Sequence, residues 1–210
     1  MRRLTLVAGL PLVAQSYEVR IEVPFPSGQN LPQTLITGTG QLASGTLDTG
    51  RGGILTLGKS FLEWPVLRLS AGVEATHFKT DGRILEGSTS RSAHLTQTGV
   101  GVSLQAQFWV PFTGIAGEMG LLQRFQHYRF EAAGATQSHD LSRTWWRVGA
   151  RWRLPLPLLR PFLAASYQEP TSKQRPVRLT SVGDLATYLG TQGSGLEVDR
   201  LWTFGVGATF

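Results

Sequence analysis

Charged side chains in this chain recur at every second position of several short segments, and that spacing limits the chemistry they can do. Glu18, Arg20 and Glu22 alternate with Val19, Ile21 and Val23. Arg68 and Glu74 oppose Leu67, Leu69, Ala71 and Val73, and Arg147, Arg151 and Arg153 oppose Trp146, Val148, Ala150 and Trp152. Residues two apart share one face of a strand, so each segment carries one polar and one apolar face. Glu118, Arg124 and Asp199 are assigned to the same polar face. Arg20, Arg68, Arg124, Arg147, Arg151 and Arg153 then confront Glu18, Glu22, Glu74, Glu118 and Asp199, six arginines against five carboxylates. Guanidinium forks match carboxylates two bonds at a time. Confined charge left unpaired would cost several kcal/mol, which the near balance avoids. The expected arrangement is an enclosed ion-pair network that fills space without transport or catalysis.

Other constellations are poorer. His77, His94, His127 and His139 show no metal-ligand spacing, and the chain has no cysteine. Ser138, His139, Asp140 and Ser142 contain the residue types of a hydrolase triad. Neighbours on one loop seldom reach the convergent geometry of nucleophile, base and orienting acid, so a polar loop is the expectation. No catalytic, cofactor-binding or metal-ligating set is assigned.

The elements that must position the network are strands. Among 210 residues are 25 glycines, and no run approaches the roughly 18 apolar residues of a spanning helix. Mean hydropathy is −0.06, which does not exclude a membrane, because barrel strands dilute an apolar face with a polar one. The net charge of +6 and pI near 10.3 would suit nucleic acid. However, 17 of the 20 basic residues are arginines, many at alternate strand positions instead of in a run or on a helix, so no nucleic-acid partner is expected.

Met1–Arg3, the apolar stretch Leu4–Val13 and the small residues of Ala14-Gln15-Ser16 have the three parts of a secretory signal peptide, giving a signal over 1–16 and one domain over 17–210. Strands are expected from Tyr17 to Val23, where Pro24 ends the first, then over 51–61, 67–76, 100–110, 115–130, 146–154, 161–168 and 202–210. The facing of the second and fifth is ambiguous, because Lys59 shares parity with Leu55 and Leu57, and Glu118 and Arg124 share parity with Leu122. Long loops are expected at 24–50, 79–92, 131–140 and 169–195, with a short helix at Ser181–Leu189. Short turns separate the other pairs. This rhythm predicts an all-β fold, an eight-stranded antiparallel up-and-down transmembrane β-barrel. Trp64, Trp146, Phe162 and Trp202 fall near strand ends, where interfacial girdles would lie.

The last segment is the most specific. Trp202, Phe204, Val206, Ala208 and Phe210 form one apolar stripe ending in an aromatic residue. This resembles the C-terminal insertion signal of bacterial outer-membrane barrels, and the whole pattern is similar to small OmpA-like and OmpX-like barrels. The resemblance implies a Gram-negative outer-membrane location, contact with outer-membrane lipids, and recognition by the barrel-assembly machinery during biogenesis. It also implies a structural or surface-interaction role, with a possible surface ligand bound through the long loops. Alternatives are a narrow anion-preferring pore, a lipid A acylase or deacylase using His77 and His127, and a soluble lipocalin-like binding barrel with the apolar face turned inward.

Overall fold

The computed structural model describes residues 16–27, 35–36, 42–47, 50–86, 88–132, 135–156, 160–172, 198 and 200–210. Ten strands follow in chain order: β1 Tyr17–Ser27, β2 Leu35–Ile36, β3 Leu42–Leu47, β4 Arg51–Glu63, β5 Leu67–Glu86, β6 Thr89–Trp109, β7 Ile115–Ala132, β8 Ala135–Arg153, β9 Arg160–Pro170 and β10 Arg200–Thr209. Eight of them, β1 and β4 to β10, close into one antiparallel barrel. β1 pairs with both β4 and β10, and β5 pairs with β6. The other two, β2 and β3, form a hairpin whose β3 continues along the far end of β5 beyond β4.

Closure matters because lipid offers no hydrogen bonds, so each main-chain amide in a spanning segment needs a partner within the wall. Phe210 completes the seam, its N–H donating to Tyr17 and its carbonyl accepting from Tyr17. The side-chain alternation then has one sense throughout. On β7, Ile115, Met119, Leu121 and Phe125 point outward, while Glu118, Leu122 and Arg124 point inward. At about 3.4 Å per residue and a tilt near 40°, the outward run from Ile115 to Phe125 makes an apolar band about 25 Å tall. Aromatic residues mark both edges. Tyr17 stacks on Phe210 at one edge, and Trp146, Tyr167 and Trp202 follow one another at the other. Apolar residues therefore face out, which excludes the lipocalin-like arrangement.

The two strands of ambiguous facing are resolved. Leu55, Leu57 and Lys59 all point outward on β4, and a register shift between Ser60 and Leu62 follows. The Lys59 ammonium lies 5.5 Å from the Tyr17 ring centroid, at the aromatic edge of the band.

Several expected loops are strand. β1 does not stop at Pro24 but runs to Ser27. Its pairing with β4 ends at Glu22, so Pro24 and Pro26 lie where one side of the strand has no ladder to serve. The expected loop over 24–50 contains β2 and β3. The expected loop over 79–92 is instead the paired ends of β5 and β6, in register from Lys79↔Thr96 to Glu86↔Thr89. The loop over 131–140 is likewise β7 and β8, paired out to Ala132↔Ala135. On β5 the burial parity does not change beyond Thr76, but the polarity inverts. His77, Lys79, Asp81 and Arg83 face out, while Phe78 and Thr80 are buried. Water has replaced lipid outside, so the outer face turns polar, while the inner face gains apolar side chains among its polar ones. Ile54, Phe78, Leu122, Trp145, Val198 and Leu201 form a core within this upper part of the barrel. The Ser181–Leu189 helix and most of the last loop lie outside the described residues.

Glycine sets how closely the walls approach. A Cβ at Gly207 would meet the Phe162 ring at 2.3 Å and the Val19 carbonyl at 2.6 Å, whereas one at Gly117 would meet nothing within 4 Å. Gly207→Val is therefore expected to cost about 1–3 kcal/mol, read as a lower urea midpoint of the vesicle-inserted barrel. Gly117→Ala should leave that midpoint unchanged or slightly raised.

Candidate functional site

The inward positions converge on a charged layer. Arg20 spans Glu118 with both terminal nitrogens, Nη1 to Oε1 at 2.8 Å and Nη2 to Oε2 at 3.0 Å, and also donates to Glu18 at 3.1 Å. Arg151 donates to the same two carboxylates, at 2.7 and 3.0 Å to Glu18 and at 2.8 and 2.9 Å to Glu118. Two guanidiniums and two glutamates from β1, β7 and β8 thus form a closed quartet. Phe162 lies beside it, with Arg151 4.2 Å and Arg20 5.6 Å from its ring centroid.

A second group lies toward the upper core. Arg124 pairs with Glu74 and donates to Gln168 at 2.6 Å, while Arg147 pairs with Glu22 at 3.1 Å. Thr203 donates to Glu22 at 2.7 Å, and its hydroxyl meets that of Ser166 at the same distance. A contact of 3.7 Å from Arg20 to Glu22 joins the two groups, and one of the same length from Arg147 to Glu74 links the two pairs of the second. Arg20, Arg124, Arg147 and Arg151 are balanced by Glu18, Glu22, Glu74 and Glu118, all essentially buried.

The remaining assigned residues stand apart. Arg68 is buried near the short-turn rim, where it pairs with Glu63 at 3.1 Å and approaches Ser16 and Ser60. Arg153 is half-buried at the same rim, its guanidinium 4.0 Å from the Trp109 ring centroid. Asp199 lies outside the described residues. Trp202, Phe204, Val206 and Phe210 are exposed on the outer face, with Ala208 partly exposed on the same side. Phe162 departs from its expected girdle position. It is buried in the lumen because Gly207 leaves room for its ring.

Sequence reasoning missed the uncharged members. Gln168, Ser166 and Thr203 share the inward parity, and a search confined to charges passes over them. Gln107 is also buried there, its amide against Arg151. Glu63 escaped notice because it sits in an expected turn. The upper layer contains Arg143, which donates to the Val198 carbonyl at 2.9 Å and lies 5.2 Å from the Trp145 ring centroid.

Chemically, the layer is suited to holding the walls together. Among the described residues no group of His, Cys, Asp and Glu is arranged to hold a metal ion. The imidazole pairs are on the outside: His127 Nδ1 is 2.6 Å from Asp140, and His94 Nδ1 is 2.7 Å from Asp81. The His94 hydrogen bond holds the Asp81 carboxyl below its ordinary range. Ser142, two register positions from His127, accepts a bond from Gln123 at 2.8 Å. The backbone of His139 is in register with Tyr128.

A closed eight-stranded antiparallel wall, an apolar outer band with aromatic edges and a polar filled interior define a small outer-membrane β-barrel. No protein-family model matches the chain, and no curated protein matches it in sequence. Solved structures similar to it include Ail, the attachment invasion locus protein of Yersinia pestis. That match has 15% identity and a TM-score of 0.49, covering 93% of this chain and 97% of that one. Neisserial surface protein A is similar at 10% identity and a TM-score of 0.46, covering 93% and 95%. The translocator domain of the autotransporter NalP from Neisseria meningitidis is similar at 12% identity and a TM-score of 0.47, covering 96% and 89%.

Glu118 touches both guanidiniums of the quartet, so its removal leaves buried positive charge. Glu118→Ala is expected to destabilise the inserted barrel by about 3–5 kcal/mol. Removing Arg20 as well, in Arg20→Met with Glu118→Leu, restores the charge balance and should recover most of that loss in the same urea titration.

Proposed function

We propose that this protein is a non-enzymatic outer-membrane barrel whose role is structural or surface-interacting, exercised by the part that rises above the bilayer. The observation that carries this reading is the inversion of polarity along β5 to β8. Strands continue past the apolar band with a polar outer face and an interior that gains apolar side chains such as Phe78, Leu95 and Trp145, which makes a stiff platform instead of a set of loose loops. Recognition usually resides on segments held by such a scaffold. In this reading residues 1–16 are a cleaved signal, and the stripe ending at Phe210 is read by the barrel-assembly machinery.

The ion-pair layer supports a sealed interior over an anion-preferring pore. Paired guanidiniums present little uncompensated charge to a passing anion, and the lumen of an eight-stranded wall is only about wide enough for its own side chains.

Replacing residues 81–92 by a tight Gly-containing turn tests the platform. The shortened protein should keep heat-modifiable migration, showing a folded barrel, and should lose attachment of expressing cells to host-cell or matrix surfaces. Attachment equal to that of the intact protein would refute a role for the β5–β6 extension. In planar bilayers the intact protein should show no reproducible stepwise conductance. Phe210→Ala should slow insertion into vesicles containing purified assembly machinery, with little change in vesicles lacking it.

A further inference from the structure

The rim formed by the short turns carries positive charge that the barrel itself does not balance. Arg68, Arg153 and Arg160 share the inward parity of β5, β8 and β9, so three strands direct guanidiniums toward one mouth of the lumen. Arg68 pairs with Glu63 at 3.1 Å. The next carboxylate inward, Glu18, is already shared by Arg20 and Arg151. Arg153 and Arg160 therefore have no carboxylate partner among the described residues. Arg153 lies instead against Trp109, 4.0 Å from its ring centroid. Arg160, Arg68 and Arg151 bear on it as like charges, and Glu63 as an opposite one. Deeper in the same lumen, four guanidiniums meet four carboxylates. A wall that balances its charge there and leaves it unbalanced at the mouth is poised to take an anion from outside.

A second and independent feature stands beside these cations. The turn between β6 and β7 holds Phe112 fully exposed at a φ of +67°. A bulky side chain in the left-handed region strains the backbone, and burial of the ring does not offset that strain. Yet the turn is firmly closed. The Thr113 hydroxyl donates to the Val110 carbonyl at 3.0 Å and accepts from the Ile115 N–H at 3.1 Å. The Arg153 N–H donates to the Gly114 carbonyl at 2.8 Å, which ties this turn to the strand that carries the unpaired guanidinium. An aromatic anchor and two free cations thus belong to one segment of the rim.

We propose that this mouth binds the peptide of the cell-wall polymer through its closely spaced free carboxylates. The inference rests on the outer-membrane reading, in which the short turns face the periplasm. Arg153 and Arg160 take the carboxylates, and Phe112 packs on the apolar groups of the same polymer. The mouth of an eight-stranded ring is only about wide enough for side chains, so it admits one short extended chain and not the side of a folded partner.

The test uses full-length protein folded in phosphatidylcholine nanodiscs, with heat-modifiable migration as the check on folding. The probe is the soluble disaccharide tetrapeptide released from purified peptidoglycan, titrated calorimetrically. The intact protein should bind it, and more weakly as salt rises. Amidating the carboxylates of the fragment should weaken binding about tenfold or more, and so should Arg153→Gln with Arg160→Gln in the protein. Phe112→Gly relieves the backbone strain and leaves every charge in place, so it should raise the urea midpoint while weakening binding. Undiminished binding by the folded double variant, or of the amidated fragment by the intact protein, would overturn the proposal. Equal affinity for a tetrapeptide of L-glutamate would overturn the assignment to the wall polymer. Failure of the intact protein to insert into the nanodisc would instead count against the outer-membrane reading.

Discussion

Four guanidinium groups enclosed in a barrel too narrow for much water can persist only if four carboxylates enclose them in return. Desolvation of either set alone would exceed the marginal stability of a domain this size, so neither has a stable place without the other. Arg20 and Arg151 share Glu18 and Glu118, and Arg147 and Arg124 take Glu22 and Glu74. Because the partners come from β1, β5, β7 and β8, the pairs cross the lumen. Closure of the ladder brings the carboxylates to the arginines, and the pairing in turn resists separation of the walls.

That dependence explains the glycines on the inner face. A long guanidinium needs space opposite it, and small residues supply the space. A Cβ at Gly205 would strike the Glu22 side chain at 2.7 Å, and one at Gly101 would crowd both Glu74 and Arg124. Gly207 accommodates Phe162, whose ring then lies beside Arg20 and Arg151. Large and small inner residues interlock across the lumen, as in any close-packed core, except that the large ones are ionic.

The bilayer decides the rest of the outer surface. Where lipid surrounds the wall, Leu, Val and Phe face outward; where water does, His77, Lys79 and Asp81 replace them on the same strand face. A single strand such as β5 thus obeys two opposite rules along its length. Reading the outer stripe alone ended that strand near Thr76, ten residues short of its end at Glu86. The better signal is Phe78, which shares the inward parity of Thr76 and Thr80 and joins the upper core. Phe162 departs from its expected place for a related reason, since an aromatic near a strand end fits a girdle equally well until the neighbouring glycine is known.

Side-chain alternation by itself determined the strand class and which residues share a face, because a two-residue period is a local property of an extended backbone; that the apolar face is the outer one was decided by the closed barrel. The stripe from Trp202 to Phe210 settled which side chains of the last strand share a face in the same way. Which arginine meets which carboxylate, the burial of Phe162 and the enlistment of Gln168, Ser166 and Thr203 were decided only by the closed barrel. Those contacts join residues up to 181 positions apart, as between Glu22 and Thr203. They depend on stagger around the ring, and no local pattern records how far each strand slides against the next.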